Sequence, residues 1–234
     1  MYITAIVLAA GKGLRIKSKI SKPLIKIDSK PVIAYSLGIL NKHPLIKDII
    51  VVTNTSNAAG IKQIKQKYRI SKIKAFVLGG RQRKDSVYNG LSVVNLKSDF
   101  ILIHDSARPF INSRCVSKVI EQAKTTGAAI LGVPVKATIK QVHRSSSIVH
   151  RRFIVKKTLD RSNLWEIQTP QVFRKDLILE AYKKFGDLEA TDDAFLIEKL
   201  GVKVQVVMGS YDNIKITTQE DLVLVEALAK NLKL

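Results

Sequence analysis

Apolar runs of five to eight residues alternate along the chain with segments whose apolar positions recur at helical spacing. A parallel strand covered on both faces reads as a continuous apolar run, whereas a helix covering it shows a single stripe. The alternation therefore predicts βαβ units and an α/β fold: a mostly parallel twisted sheet flanked by helices. Strands are predicted at 3–10, 46–54, 73–78, 100–104, 128–135 and 202–208. Helices are predicted at 32–41, 58–68, 86–94, 113–126, 175–185, 192–200 and 219–232. No repeat, low-complexity tract or Pro/Gly/Ser-rich linker divides residues 1–234, so a single domain is expected.

Residues 136–159 depart from this rhythm, with two alternating β-branched stretches around Ser145-Ser146-Ser147. They predict a hairpin projecting from the sheet as a β-arm. An isolated hairpin is marginal in water, so the arm is expected to pack on a second subunit.

Composition narrows the class. The formal net charge is +21, but the lysines are spread through the whole chain and the aromatic residues are few. A nucleic-acid-binding protein gathers its cations in a stripe or tail and interleaves stacking platforms, so nucleic acid is not the expected partner. A diffuse positive field suits small polyanionic substrates instead. Cys115 is the single cysteine, which rules out an intramolecular disulfide and fits a reducing compartment. The longest apolar runs fall well short of the roughly 20 residues that cross a bilayer. No basic segment followed by an apolar stretch and cleavage site opens the chain, and a cytoplasmic protein is expected.

Candidate chemistry sits where predicted strands end. The first strand runs into Leu8-Ala9-Ala10-Gly11-Lys12-Gly13-Leu14-Arg15, with Lys22 seven residues later. Small residues let backbone approach a ligand, and successive N–H groups can cradle phosphate. No Gly-Lys-Ser/Thr closes the loop, as a Walker A motif requires, and Arg15 stands where a dinucleotide fingerprint wants a third glycine. Held cations at such a turn stabilise charge that develops on transferring phosphorus and departing pyrophosphate. The alternative is a tight turn beside solvated Arg15 and Lys22.

Gly79-Gly80-Arg81-Gln82-Arg83-Lys84-Asp85-Ser86 joins a strand to a helix, where open α/β sheets bind ligands. It reads equally as an ordinary turn with Asp85 as helix cap. The strand at 100–104 leads into His104-Asp105-Ser106-Ala107-Arg108-Pro109. Asp105 there is suited to hold magnesium or position a hydroxyl, and Arg108 to grip a phosphate; a capped turn is the plainer reading. His104 reads as a core histidine without chemistry.

The ordered set AAGKGLR, GGRQRKDSV, HDSARPF, TLDRSNLW, QTPQVF, ATDD and DNIKIT resembles the 2-C-methyl-D-erythritol 4-phosphate cytidylyltransferase family through nearly the whole chain. The resemblance implies a Rossmann-like nucleotidyltransferase fold, a homodimer joined through the arm, CTP as co-substrate and Mg2+. It assigns Arg15, Lys22, Arg161 and Lys215 to catalysis, with Arg161 reaching the neighbouring subunit's site. It places Ala9, Ala10, Gly11, Gly13, Gly80, Arg81 and Ser86 against CTP. Asp105, Arg108, Thr138, Thr169 and Thr191 fall on the side of the acceptor substrate, and Asp105 and Asp212 near the metal. Leu8 replaces the usual proline of the first loop, Ser21-Lys22-Pro23-Leu24 replaces Pro-Lys-Gln, and Ala137 replaces an acidic residue before the arm threonine. A ribitol-5-phosphate cytidylyltransferase is the nearest alternative, and Asp85-Ser86-Val87 with 160–165 favours the methylerythritol enzyme.

Overall fold

The computed structural model describes residues 1–11, 20–144 and 153–232. The first apolar run forms β1 (Ile3–Ala9), followed by a short 3-10 turn at Lys22–Leu24 and a small ladder of β2 (Lys26–Ile27) with β3 (Lys30–Pro31). Then come α1 (Val32–Lys42), β4 (Ile46–Thr53), α2 (Thr55–Lys67), β5 (Ile73–Leu78), α3 (Arg83–Leu91) and β6 (Phe100–Asp105). The chain continues through α4 (Ser113–Thr126), β7 (Ala128–Pro134), β8 (Lys140–Arg144), β9 (Phe153–Thr158) and β10 (Trp165–Arg174). It ends with α5 (Lys175–Phe185), α6 (Ala194–Lys199), β11 (Gln205–Met208) and α7 (Gln219–Asn231).

A seven-stranded sheet runs in the order β11-β7-β10-β6-β1-β4-β5. Six strands share one direction and β10 alone opposes its neighbours. Alternation along each strand feeds two cores. Ala5, Val7, Leu102 and Val51 face α1, α2 and α4, while Ile6, Ile103 and Val52 face α3, α5 and α6. A third, smaller cluster packs α7 onto Tyr35, Phe110 and Ile216. Each fully buried Ile or Leu contributes roughly 1.5–3 kcal/mol.

All six predicted strands are present. Strand β10 was not expected, because its buried stretch reads Gln168-Thr169-Pro170-Gln171, polar and interrupted by proline. The register slips between Gln168 and Gln171, so Thr169 and Pro170 bulge out of the ladder and the missing proline N–H is tolerated there.

Two helices start earlier than their apolar periods imply. Helix α2 begins at Thr55 because the Asn54 side chain accepts from the Asn57 N–H at 2.9 Å. Helix α3 begins at Arg83, which places Asp85 at its third residue and not at the cap; the Asp85 carboxylate reaches back to the Gln82 N–H at 2.9 Å.

The expected hairpin forms from β8 and β9, with Lys140 paired to Thr158. Its expected Ser145–Ser147 turn lies outside the described residues. Phe153, Ile154 and Val155 stand exposed on β9, Phe153 at 68%. No described helix is long and apolar enough to cross a membrane.

Candidate active site

The carboxyl ends of β1, β5 and β6 open onto a crevice of about 650 Å³. Leu8 at the end of β1 pairs with Asp105 at the end of β6, so the first loop and the acidic strand end are neighbours by register. Asn54 and Asn57, at the start of α2, donate to the carbonyls of Ala10 at 3.0 Å and Ala9 at 3.2 Å. Those bonds anchor the loop from behind while Ala9, Ala10 and Gly11 line the crevice. Opposite lie Gly80, Arg81 and Ser86. The approach there is close: a Cβ on Gly79 would stand 2.3 Å from the Ala10 Cβ, and one on Gly80 would stand 2.2 Å from the Asp85 Cβ. The Gly80 N–H donates to the Ser86 hydroxyl at 3.1 Å, which locks the segment to α3.

Charge concentrates on the wall of this crevice. Asp105 is 7% exposed and receives Arg83 Nε on one oxygen at 3.2 Å and Lys215 Nζ on the other at 2.6 Å. Arg83 also meets Asp193 at 2.8 Å, and the Tyr182 hydroxyl donates to Asp193 at 2.6 Å. Burial pushes the Asp105 carboxyl up, but Arg83 and then Lys215 outweigh it and hold the group well below the usual carboxylate range. Burial opposes the Arg83 charge, and Asp193 and Asp105 more than restore it. Burial first, and Asp193 second, push the Tyr182 phenol far up, so it stays a donor. Lys22 donates to the Ile216 carbonyl at 2.7 Å, which brings the 3-10 turn to the same segment as Lys215.

Arg83, Asp105 and Lys215 also line a second hollow of about 460 Å³, shared with Arg108, Thr169 and Thr191. Arg108 is 5% exposed, and its guanidinium donates to the carbonyls of Asn213 at 2.7 Å and Ile167 at 3.2 Å. The Thr169 hydroxyl accepts from the Asp105 N–H at 3.0 Å, taking by side chain the bond that the β10 bulge removes from the ladder.

Nine of the expected site residues thus line one crevice, namely Ala9, Ala10, Gly11, Lys22, Gly80, Arg81, Ser86, Asp105 and Lys215. Gly13 and Arg15 lie outside the described residues. Thr138 and Arg161 sit apart, at the foot of the β8–β9 hairpin, where Arg161 donates to the Lys136 carbonyl. Asp212 lines a different hollow with Pro109, Phe110 and Asn112, away from Asp105. Among the described residues no three His, Cys, Asp or Glu side chains converge as a metal site. Magnesium commonly takes one or two carboxylates and completes its shell with phosphate oxygens and water. Asp105 is the one carboxylate among the described residues that line the crevice, and it would be the group to take that role, with Arg83 and Lys215 already on its two oxygens.

Arg83, His104, Gln168, Asp193 and Asn213 had no expected role, yet they build the site's frame. Asn213, 2% exposed, donates to both Gln168 Oε1 and the Thr169 carbonyl, tying β10 to the segment before Lys215. Each nonetheless lies inside a quoted motif: Arg83 in GGRQRKDSV, His104 in HDSARPF, Gln168 in QTPQVF, Asp193 in ATDD and Asn213 in DNIKIT.

A loop of small residues at the first strand, cations on three separated segments and an ionised aspartate between them define a nucleotidyltransferase site on a Rossmann-like sheet. The family model IspD, 2-C-methyl-D-erythritol 4-phosphate cytidylyltransferase, matches residues 3–231, and the chain belongs to that family. The 2-C-methyl-D-erythritol 4-phosphate cytidylyltransferase of Syntrophus aciditrophicus is 43% identical, over 97% of this chain and 96% of that protein. The 4-diphosphocytidyl-2C-methyl-D-erythritol synthase structure from Anaerococcus prevotii superposes with a TM-score of 0.83 at 34% identity, covering 98% of this chain and 96% of that one. The Francisella tularensis cytidylyltransferase structure gives 0.78 at 31% identity, covering 97% and 99%.

Proposed function

We propose that this crevice transfers a cytidylyl group from CTP to 2-C-methyl-D-erythritol 4-phosphate, yielding 4-diphosphocytidyl-2-C-methyl-D-erythritol and pyrophosphate. The supporting observation is the meeting of Lys22 and Lys215 at the 215–216 segment, beside the Ala9–Gly11 loop and Asp105. A phosphate oxygen of the acceptor attacks the α-phosphorus of CTP, the bond to the bridging oxygen breaks, and pyrophosphate leaves with that electron pair. Negative charge grows on the α-phosphoryl oxygens and the leaving group as this occurs. Preorganised ammonium groups stabilise it without reorganising at the moment of reaction.

Lys22 carries that task, joined by Arg15 through its place in the first-loop motif. Gly80, Arg81 and Ser86 receive the cytosine, with the glycines required by the close approach of Ala10 and Asp85. Lys215 grips the acceptor's phosphate, and Asp105 keeps its ammonium aimed at the crevice. Arg108, Thr169 and Thr191 border the acceptor, and Thr138, beside Arg161 at the foot of the hairpin, serves the acceptor of a second copy. Asp105 would help to hold magnesium bound with the triphosphate, and the ion would supply positive charge against the phosphate oxygens.

Arg161 completes the acceptor site of a second copy. Its exposed position at the foot of the hairpin, outside its own crevice, supports that reading. The exposed Phe153, Ile154 and Val155 support a homodimer joined through the β-arm. A single free cysteine and a CTP-dependent reaction fit a cytoplasmic enzyme.

Pyrophosphate release measured with CTP, magnesium and a panel of polyol phosphates tests the assignment. Methylerythritol phosphate is expected to be turned over far faster than ribitol 5-phosphate, and the reverse ranking would overturn it.

A further inference from the structure

The end of β6 carries a chain of hydrogen bonds with a single allowed direction. His104 is fully buried, and its two ring nitrogens meet chemically different groups: Nε2 lies 3.1 Å from the Arg108 carbonyl oxygen and Nδ1 lies 3.1 Å from the Thr169 hydroxyl. A carbonyl oxygen only accepts, which puts the ring proton on Nε2. A fully buried ring facing a carbonyl and a hydroxyl, with no carboxylate on either nitrogen, is kept neutral, with one N–H and one lone pair. The lone pair is then on Nδ1, and the Thr169 hydroxyl must donate to it. The oxygen of the same hydroxyl accepts from the Asp105 N–H at 3.0 Å.

We propose that His104, held as its Nε2–H tautomer, is a positioning residue for the transfer: it pins both ends of the Asp105–Arg108 turn, one through the Thr169 hydroxyl and the other through the Arg108 carbonyl. The arrangement closes on itself. The Arg108 side chain donates to the Asn213 carbonyl at 2.7 Å, two residues before Lys215, and the Lys215 ammonium returns to Asp105 at 2.6 Å. Thr169 borders the acceptor hollow, but its hydroxyl hydrogen is committed to His104. Its contribution is therefore to hold Asp105, not to donate a hydrogen bond to the substrate.

The inference rests on the reading of Asp105 and Lys215 as the acceptor-side pair, and its test separates the two. In protein labelled with 15N at histidine, the His104 signals, assigned by substituting the other three histidines in turn, are expected to show a protonated Nε2 and an unprotonated Nδ1 at neutral pH. A protonated Nδ1 would overturn the proposal whatever the enzyme's activity. Thr169→Val, which keeps the shape and removes the hydroxyl, is expected to lower kcat by about a hundred-fold, the cost of a misplacement near 1 Å. It should leave KM for CTP unchanged, and Thr169→Ser should restore most of the loss. His104→Gln combined with Thr169→Val should cost no more than the larger single change, because the two act in one chain. A folded Thr169→Val enzyme with wild-type kcat would sink the idea, even if His104→Gln fails to fold. Failure of the proposed reaction itself would show in the unsubstituted enzyme, before any variant is made.

Discussion

Lys215 Nζ stands 2.6 Å from Asp105 Oδ2, an ion pair joining the segment after β11 to the end of the second strand laid beside β1. The lysine side chain is 42% exposed, so water screens the pair and it stabilises the fold little. Its value is directional, since it aims an ammonium across the crevice. Lys215→Ala is accordingly expected to remove about 3 to 4 kcal/mol of transition-state stabilisation, a hundred- to thousand-fold in kcat/KM, while hardly moving the unfolding midpoint. Pyrophosphate release and thermal unfolding on the same preparation check both halves; retention of activity within a few-fold would take Lys215 out of the mechanism.

Lys22 sits one residue further along that segment, through its bond to the Ile216 carbonyl. If it stabilises charge on the transferring phosphorus, Lys22→Ala should lose turnover on a similar scale, roughly a hundred- to thousand-fold. Single-turnover rates at saturating CTP isolate the chemical step. A drop confined to KM would mean that Lys22 only binds the nucleotide.

Much of this frame was legible in the apolar pattern, and the rest was hidden for identifiable reasons. Strands such as Ile3–Ala9 and Ala128–Pro134 are apolar because both faces are covered, and that is visible one residue at a time. Strand β10 was not, since its buried residues include Gln168, Thr169 and Gln171, whose polar side chains find their partners only in the tertiary structure. The first-loop and glycine-pair motifs were readable because backbone approach demands small residues locally. Arg83 was not, because its partner Asp193 lies 110 residues away and no local rule joins them.

Arg83 bridges two carboxylates with one planar fork, and Asp193 is 1% exposed. Removing the arginine strands a buried negative charge, which costs about 3–5 kcal/mol, far more than an exposed pair. Arg83→Leu should show that loss in urea unfolding. Arg83→Leu combined with Asp193→Asn should recover a good part of it, since the stranded charge is gone. Additive losses in the double variant would mean that the two residues do not act as a pair. Lysine should rescue poorly, because a single ammonium cannot reproduce the geometry of the guanidinium fork.

His104 also sets a pH dependence. Its folded pKa of about 4 lies below the ordinary 6.5, so between those values the unfolded chain binds a proton that the native state refuses. Stability from this group is complete above the unfolded value and is lost as pH falls toward the folded one, at a limiting slope of about 1.4 kcal/mol per pH unit. His43, which burial first and Lys72 second also push down, acts in the same direction. Unfolding free energies measured from pH 7 to pH 4 should therefore decline, and His104→Asn should flatten the decline. An unchanged slope in that variant would show that His104 titrates normally.

The placement of Arg161 yields the most demanding test. It is exposed at the foot of the hairpin and donates to the Lys136 carbonyl, while Lys22 lines the crevice of the same chain. If Arg161 serves the crevice of a second copy, an Arg161→Ala subunit still offers an intact Lys22 site and a Lys22→Ala subunit still offers an intact Arg161. Each variant alone should be inactive. In a hybrid dimer one of the two crevices then regains both cations and the other lacks both. With random exchange half the dimers are hybrids, so about a quarter of all crevices recover, on the arithmetic of closed two-fold assemblies. Mixing the two inactive proteins should restore activity on that scale as subunits exchange. Mass spectrometry of differently tagged chains confirms the exchange independently, and full exchange without recovery would assign each crevice to a single chain.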